Sequence, residues 1–385
     1  MKKTVLLILA FWLAFHFILP YLAIELFMGN LETYGISSSN KGLLVNLISI
    51  AIAMFIIYKD KSNDSRTMIA PSSTSTFQYF VISFIISIVY FIKSGGAEGV
   101  LAGASSGEFI SYLSLLFDVI FAIYYIFFFS QNKVKFPLLY ILSFIVFHTL
   151  RGQRSGVLHI VLLYIYLYSY QNFNVYSKLL KRTIVVVGLV SPLLFAIATQ
   201  IRFIETLELP KMIVGRVSMI ELSGIPLDQK DNNTLDWRYF DSKYGLNNQL
   251  KQTLNSILPI DPFKSDVFPD QYYRSIFLGI PESFVLDHYT SINMTLPVFL
   301  VLLTRSYFLG ILLTILLIVG YYKLLIKRKD SVIDSTILIV NLYQFLYFFD
   351  LPMIFRGIFF MGVSLYILRW FDAWKSKRKI VSLEK

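Results

Sequence analysis

Apolar residues run along this chain in blocks too long for strands and too continuous for surface helices. The blocks extend over Val5–Phe27, Leu43–Tyr58, Phe77–Ile92, Phe109–Phe129 and Phe136–Leu150. They continue over Val157–Tyr170, Ile184–Thr199, Pro297–Tyr322, Val332–Phe349 and Phe355–Trp370. An uncharged apolar stretch approaching 20 residues reads as a bilayer-crossing helix. The pattern therefore predicts an all-α polytopic membrane protein with about ten transmembrane helices. The first block follows Met1-Lys2-Lys3 and lacks an A-x-A site, so it is expected to be an uncleaved span rather than a signal peptide.

Residues 1–385 are expected to form a single integral membrane domain, with one large loop, 201–296, between spans 7 and 8. In that loop Leu246, Leu250, Leu254 and Ile257 recur at helical spacing with Asn247, Asn248, Lys251 and Gln252 between them. This predicts an amphipathic helix lying on the outer membrane surface. Pro210, Pro226, Pro259, Pro262, Pro269 and Pro281 are expected to cut the loop into short pieces that fold over the mouth of the bundle.

Composition supports the membrane reading. Hydrophobic residues make up 56% and charged residues 15% of the 385, against about 25% charged in soluble domains. The mean hydropathy is +0.63. The net charge of +11 is accounted for by topology and gives no reason to invoke nucleic acid. With the N-terminus inside, the short inner segments and the tail carry 20 basic residues. The short outer loops carry five: Lys41, Lys93, Arg151, Arg154 and Arg356. The positive-inside rule then puts both termini in the cytoplasm. With no cysteine, disulfides and thiolate metal sites are excluded.

Arg151-Gly152-Gln153-Arg154-Ser155-Gly156 interrupts two short spans. A guanidinium sunk towards a bilayer needs an anionic or water-filled partner, and its planar fork suits phosphate. Non-helical backbone at membrane depth is tolerated where it lines a cavity. Arg202 begins the long loop at the same expected depth. Glu282, Asp287 and His288 stand together at the loop's return, where a histidine beside carboxylates can act as a general base. Arg305 follows the loop, Arg356 stands near Asp350 in a later outer turn, and Trp237 and Tyr272 can stack on sugar rings. These four are the candidate substrate-binding residues. No metal-ligand spacing and no nucleotide-binding fingerprint occurs, so neither metal nor cofactor is expected.

The many spans, the single large late loop, the Arg-Gly-x-Arg-Ser-Gly turn and the stretch Ser306-Tyr307-Phe308-Leu309-Gly310 resemble the bacterial O-antigen polymerases, the Wzy-type oligosaccharide repeat-unit polymerases. The resemblance implies a GT-C-like, membrane-embedded glycosyltransferase of the inner membrane. It implies transfer of a growing glycan from undecaprenyl pyrophosphate to a new lipid-linked repeat unit at the periplasmic face. Arg151, Arg154 and Arg202 would clamp the pyrophosphate, and Glu282, Asp287 or His288 would be the base. The expected partners are the lipid-linked oligosaccharide and the bilayer, with a polysaccharide chain-length regulator as a further candidate. O-antigen ligases share the plan but carry a different residue after the histidine than Tyr289. A lipid-linked oligosaccharide flippase is the alternative from another class.

Overall fold

The structure is a computed structural model. It describes residues 2–28, 38–61, 73–93, 218–257, 269–281, 294–328 and 332–347, with shorter pieces within 110–117 and 355–374. Helix is the only regular secondary structure among the described residues. Three helices there are long and apolar enough to cross a membrane: Lys2–Leu26, Lys41–Lys59 and Tyr307–Lys327. The chain is thus an α-helical protein with membrane-spanning segments. It divides into two compact units, residues 1–65, 207–329 and 334–359 in the first, and 66–206, 330–333 and 360–385 in the second.

The first unit opens with α1 (Lys2–Leu13), which runs without a break through a π-helical turn (Ala14–Ile18), α2 (Leu19–Ala23) and a second π-helical turn (Ile24–Met28). Next comes α3 (Lys41–Lys59). The segment after residue 218 supplies α5 (Ile220–Asp231), α6 (Trp237–Tyr244), α7 (Leu246–Ile257) and α8 (Pro269–Leu278). Two more helices, α9 (Leu296–Thr304) and α10 (Tyr307–Lys327), form a tight hairpin, and α11 (Val332–Tyr347) follows. In the second unit α4 (Ser73–Lys93) is apolar from Phe77 onward. Its Tyr79 hydroxyl donates to the Leu116 carbonyl at 2.9 Å.

Polar contacts at the helix ends fix the directions of the spans. The Lys2 ammonium donates to the Asp60 carbonyl at 2.8 Å, and the Asp60 carboxylate accepts from Lys323 and from the Tyr322 hydroxyl at 2.9 Å each. The start of the N-terminal span therefore meets the ends of α3 and α10. At the opposite end Lys41 and Tyr307, the first residues of α3 and α10, meet at Asp231. The first span is antiparallel to α3, and α10 is parallel to it.

The sequence predicts one span over Pro297–Tyr322. The chain instead reverses at Arg305, which adopts φ +56°. Leu296–Thr304 becomes a buried leg folded back along the true span, Tyr307–Lys327. At 1.5 Å per residue α9 is about 14 Å long, half a bilayer core. The hairpin is tight because Gly310 faces Val301. A Cβ on Gly310 would sit 2.5 Å from the Val301 backbone. Ser306 caps α10 by accepting from the Leu309 N–H at 3.4 Å.

α5 also penetrates the bundle. Its approach begins where the Met219 N–H donates to the His16 carbonyl at 3.0 Å, within the N-terminal span. It then passes α3 so closely that a Cβ on Gly42 would lie 2.4 Å from the Cβ of Ser223. It ends beside Lys41. The sequence reads Pro226 as a cut, whereas the structure carries α5 straight through it. Proline removes one N–H and orphans the carbonyl four residues earlier. For Pro226 that carbonyl belongs to Leu222, and the Tyr273 hydroxyl donates to it at 2.8 Å. Pro20 likewise deprives the His16 carbonyl of its α-helical donor, and the Met219 N–H takes the vacant place. His16 is also tied through Nε2 to the Tyr343 hydroxyl of α11.

Candidate functional site

The end of the first unit marked by Lys41 carries a collar of charged and aromatic side chains. Its inner half is built by the start of α3, the end of α5 and the start of α10. Lys41 pairs with Asp231 at 2.6 Å and with Asp228 at 3.4 Å. Asp228 also accepts from the Ser39 N–H at 2.7 Å. The Tyr307 hydroxyl donates to Asp231 at 2.9 Å, and Lys230 reaches Asp231 at 3.2 Å while its ammonium lies 4.2 Å from the centre of the Tyr307 ring. Partial burial works against the charge of Asp231. The hydrogen bonds from Lys41, Tyr307 and Lys230 outweigh it and hold the carboxyl below the ordinary carboxylate range.

The outer half is built by α6, α8 and the α9–α10 reversal. Asp236 starts α6 by accepting from the N–H groups of Arg238 and Tyr239 at 3.0 and 3.1 Å. This cap sets Trp237 and Asp241 one turn apart on a single face. Arg305, projected from its left-handed turn, pairs with Asp241 at 3.0 Å, and its guanidinium carbon lies 4.8 Å from the centre of the Trp237 ring. On the other flank of α6 Lys243 lies 4.2 Å from the Tyr272 ring centre and 5.5 Å from that of Tyr239. The Tyr239 hydroxyl is 2.9 Å from Ser275 Oγ. Beneath, Phe240, Tyr244, Tyr273 and Phe277 are fully buried and hold α6 and α8 together.

Of the residues proposed from sequence as substrate contacts, Arg305 and Trp237 come together here, while Tyr272 meets Lys243 on the other flank of α6. Arg305 directs one Nη at Asp241 and is otherwise 59% exposed, so further donors of its fork face outward. Arg151, Arg154, Arg202, Glu282, Asp287, His288 and Arg356 lie outside the described residues. No group of three or more His, Asp or Glu side chains able to hold a metal ion occurs among the described residues.

No family model, curated protein or solved structure matches this chain. What the site can do must be read from its own chemistry. Arginine and lysine laid on indole and phenol rings give a surface that accepts anions and stacks on flat apolar faces, including those of sugar rings.

Sequence reasoning gives no site role to Lys41, Asp228, Asp231 and Asp241, and names Tyr307 only within the Ser306–Gly310 stretch. Lys41 reads there only as a topology charge. The available signal is the Asp228–Asp231 spacing, one helical turn apart beside Lys230. Their partners, Lys41 and Tyr307, lie far along the chain and carry no local trace of the pairing.

Proposed function

We propose that this protein is a polymerase of lipid-linked oligosaccharide repeat units, an O-antigen polymerase of the Wzy type. In this reading it is a glycosyltransferase of the bacterial inner membrane that moves the growing glycan from undecaprenyl pyrophosphate to the next repeat unit. The observation that carries the proposal is the collar, which gathers Arg305 on Trp237 and Lys243 on Tyr272 at one end of the spanning helices. A lipid-linked donor needs a site open to the bilayer from the side, with cations and sugar-stacking rings just above it. The reading adds ten spans in a GT-C-like arrangement and the collar on the periplasmic side. The end where Lys2, Asp60 and Lys323 meet would face the cytoplasm with both termini.

The chemistry follows from the leaving group. As the glycosidic bond to the lipid pyrophosphate breaks, negative charge grows on phosphate oxygens. Preorganised arginines in a water-poor site stabilise that charge without rearranging. Arg151, Arg154 and Arg202 fill this role, with Glu282, Asp287 or His288 taking the proton of the acceptor hydroxyl. Arg305, Arg356, Trp237 and Tyr272 hold the glycan, and a chain-length regulator is the partner to seek on the long loop.

The test is the lipopolysaccharide ladder of the source strain after deletion of this gene. A lipid core bearing a single repeat unit is the expected result, because ligation survives while extension stops. A bare core with polymer accumulating on undecaprenyl carriers would instead identify a ligase. Repeat units trapped on the cytoplasmic side would identify a flippase, and an unchanged ladder would overturn all three.

A further inference from the structure

The polarity of α7 is the reverse of what water would select. Leu246, Leu250 and Leu254 are 59, 58 and 42% exposed, whereas Gln249 and Gln252 are 0 and 1% exposed and Thr253 is also buried. The leucine stripe faces out and the glutamine amides face in, with Asn247 and Lys251 exposed beside the leucines. Neither polar atom of the Gln249 side chain has a hydrogen-bond partner among the described residues. A helix in water turns its amides to the solvent and its leucines to the core. The inversion is what a helix adopts when its surroundings are more apolar than its own protein.

The height of α7 supports the same conclusion. It is joined through Gly245 to Tyr244, whose ring packs on Phe299 at 6.2 Å between centres. Along α9, Phe299 lies about 9 Å from the Arg305 reversal. α7 thus starts below the collar. Because Gly310 faces Val301 across the hairpin, that level on α10 is marked by Leu312 and Leu313, part of the exposed apolar belt of a spanning helix. Lys251 is exposed at the margin of the leucine stripe, where its stem can follow apolar surface while the ammonium rises to the headgroups.

We propose that α7 is an in-plane membrane helix, with its Leu246–Leu250–Leu254 stripe inserted among the acyl chains of the leaflet around the collar. The occupant of this face is lipid, not a protein partner. Its role is to hold α6, and with it Trp237 and Asp241, at a set height over the bilayer. This inference is independent of the polymerase reading and stands or falls apart from it.

The test exploits the absence of cysteine from the chain. Single nitroxide labels at Leu246→Cys, Leu250→Cys and Leu254→Cys are compared in full-length protein reconstituted into phosphatidylethanolamine–phosphatidylglycerol vesicles. Leu316→Cys on the exposed belt of α10 is the lipid reference, and Asn232→Cys beside the collar is the water reference. Collision with oxygen and with a water-soluble nickel chelate is measured at each site. The three leucine positions are expected to match Leu316→Cys, favouring oxygen strongly over nickel. Gln249→Cys is expected to be shielded from both. Leucine positions that favour nickel as Asn232→Cys does would overturn the proposal. Shielding from both reagents at Leu250→Cys would also overturn it, since protein would then cover the face. If Gln249→Cys fails to fold, the exposed leucine sites decide the matter by themselves.

Discussion

Leu222 and His16 share a predicament: each offers a buried carbonyl that a proline has stripped of its helical donor. The solutions are a side-chain hydroxyl in one case and a backbone N–H in the other. Removing the Tyr273 hydroxyl should therefore matter more than removing a surface hydrogen bond. Tyr273→Phe keeps the ring packing but leaves the Leu222 carbonyl unpaired, at an expected cost of about 1–3 kcal/mol. Unfolding in detergent measures it. Adding Pro226→Ala, which returns an N–H to that carbonyl, should recover part of the loss, and strictly additive effects would refute the pairing. Asp231 gives a second residue-scale prediction. Its carboxyl sits lower in the folded protein than in the unfolded chain, so it contributes stability at neutral pH. That contribution is lost as the pH falls through and below the ordinary carboxylate range, from about 5 towards 3. The melting temperature of the wild type should fall across this window, and Asp231→Asn should flatten the fall.

At the scale of elements, legibility depends on whether the physical cause is local. The helix Leu246–Ile257 is readable because its leucines keep a 3.6-residue period, and the structure gives these bounds. The spans beginning at Lys2 and Lys41, and the shorter apolar helix over Phe77–Lys93, are readable from apolar length alone. The α9–α10 reversal is not, because Pro297–Tyr322 is apolar on both sides of Arg305 and hydropathy carries no sign of direction. Ser306 and Gly310 hold that information, one as a cap and the other as a point of backbone contact. Gly310→Leu should force the legs of the hairpin apart. Overpacking of this kind costs about 1–3 kcal/mol, and a shift of the reversal would also displace Arg305 from Trp237. Intrinsic fluorescence should report the displacement, while Gly320→Leu, at a position with open space around it, should leave both stability and fluorescence unchanged. The collar is legible only in part: Arg305, Trp237 and Tyr272 announce themselves as chemistry. Asp231 and Asp241 do so only once folding brings cations to them.

For the whole molecule, the proposed function gives two sets of cations separate tasks. Lys41, Lys230 and Arg305 of the collar are paired with Asp228, Asp231 and Asp241, so they shape a surface as much as they attract a ligand. Arg151 and Arg154, placed by the sequence at a break between spans, are the stronger candidates for transition-state charge. Arg154→Ala should reduce polymerisation by about 10²–10³, read as loss of long chains from the ladder with the protein still present in the membrane. A normal ladder from the stably inserted variant would remove Arg154 from the mechanism.

The vacancy that Pro20 creates also has a history within each newly made copy. His16 emerges from the ribosome early, and Met219, which occupies its carbonyl, follows about 200 residues later. At typical synthesis rates of about 5–20 residues per second, that interval is about 10–40 seconds. During it the His16 carbonyl is without the Met219 N–H that meets it in the folded protein. Nascent chains arrested before Met219 should linger with the insertion machinery, whereas Pro20→Ala, which closes the vacancy from within the helix, should release them sooner.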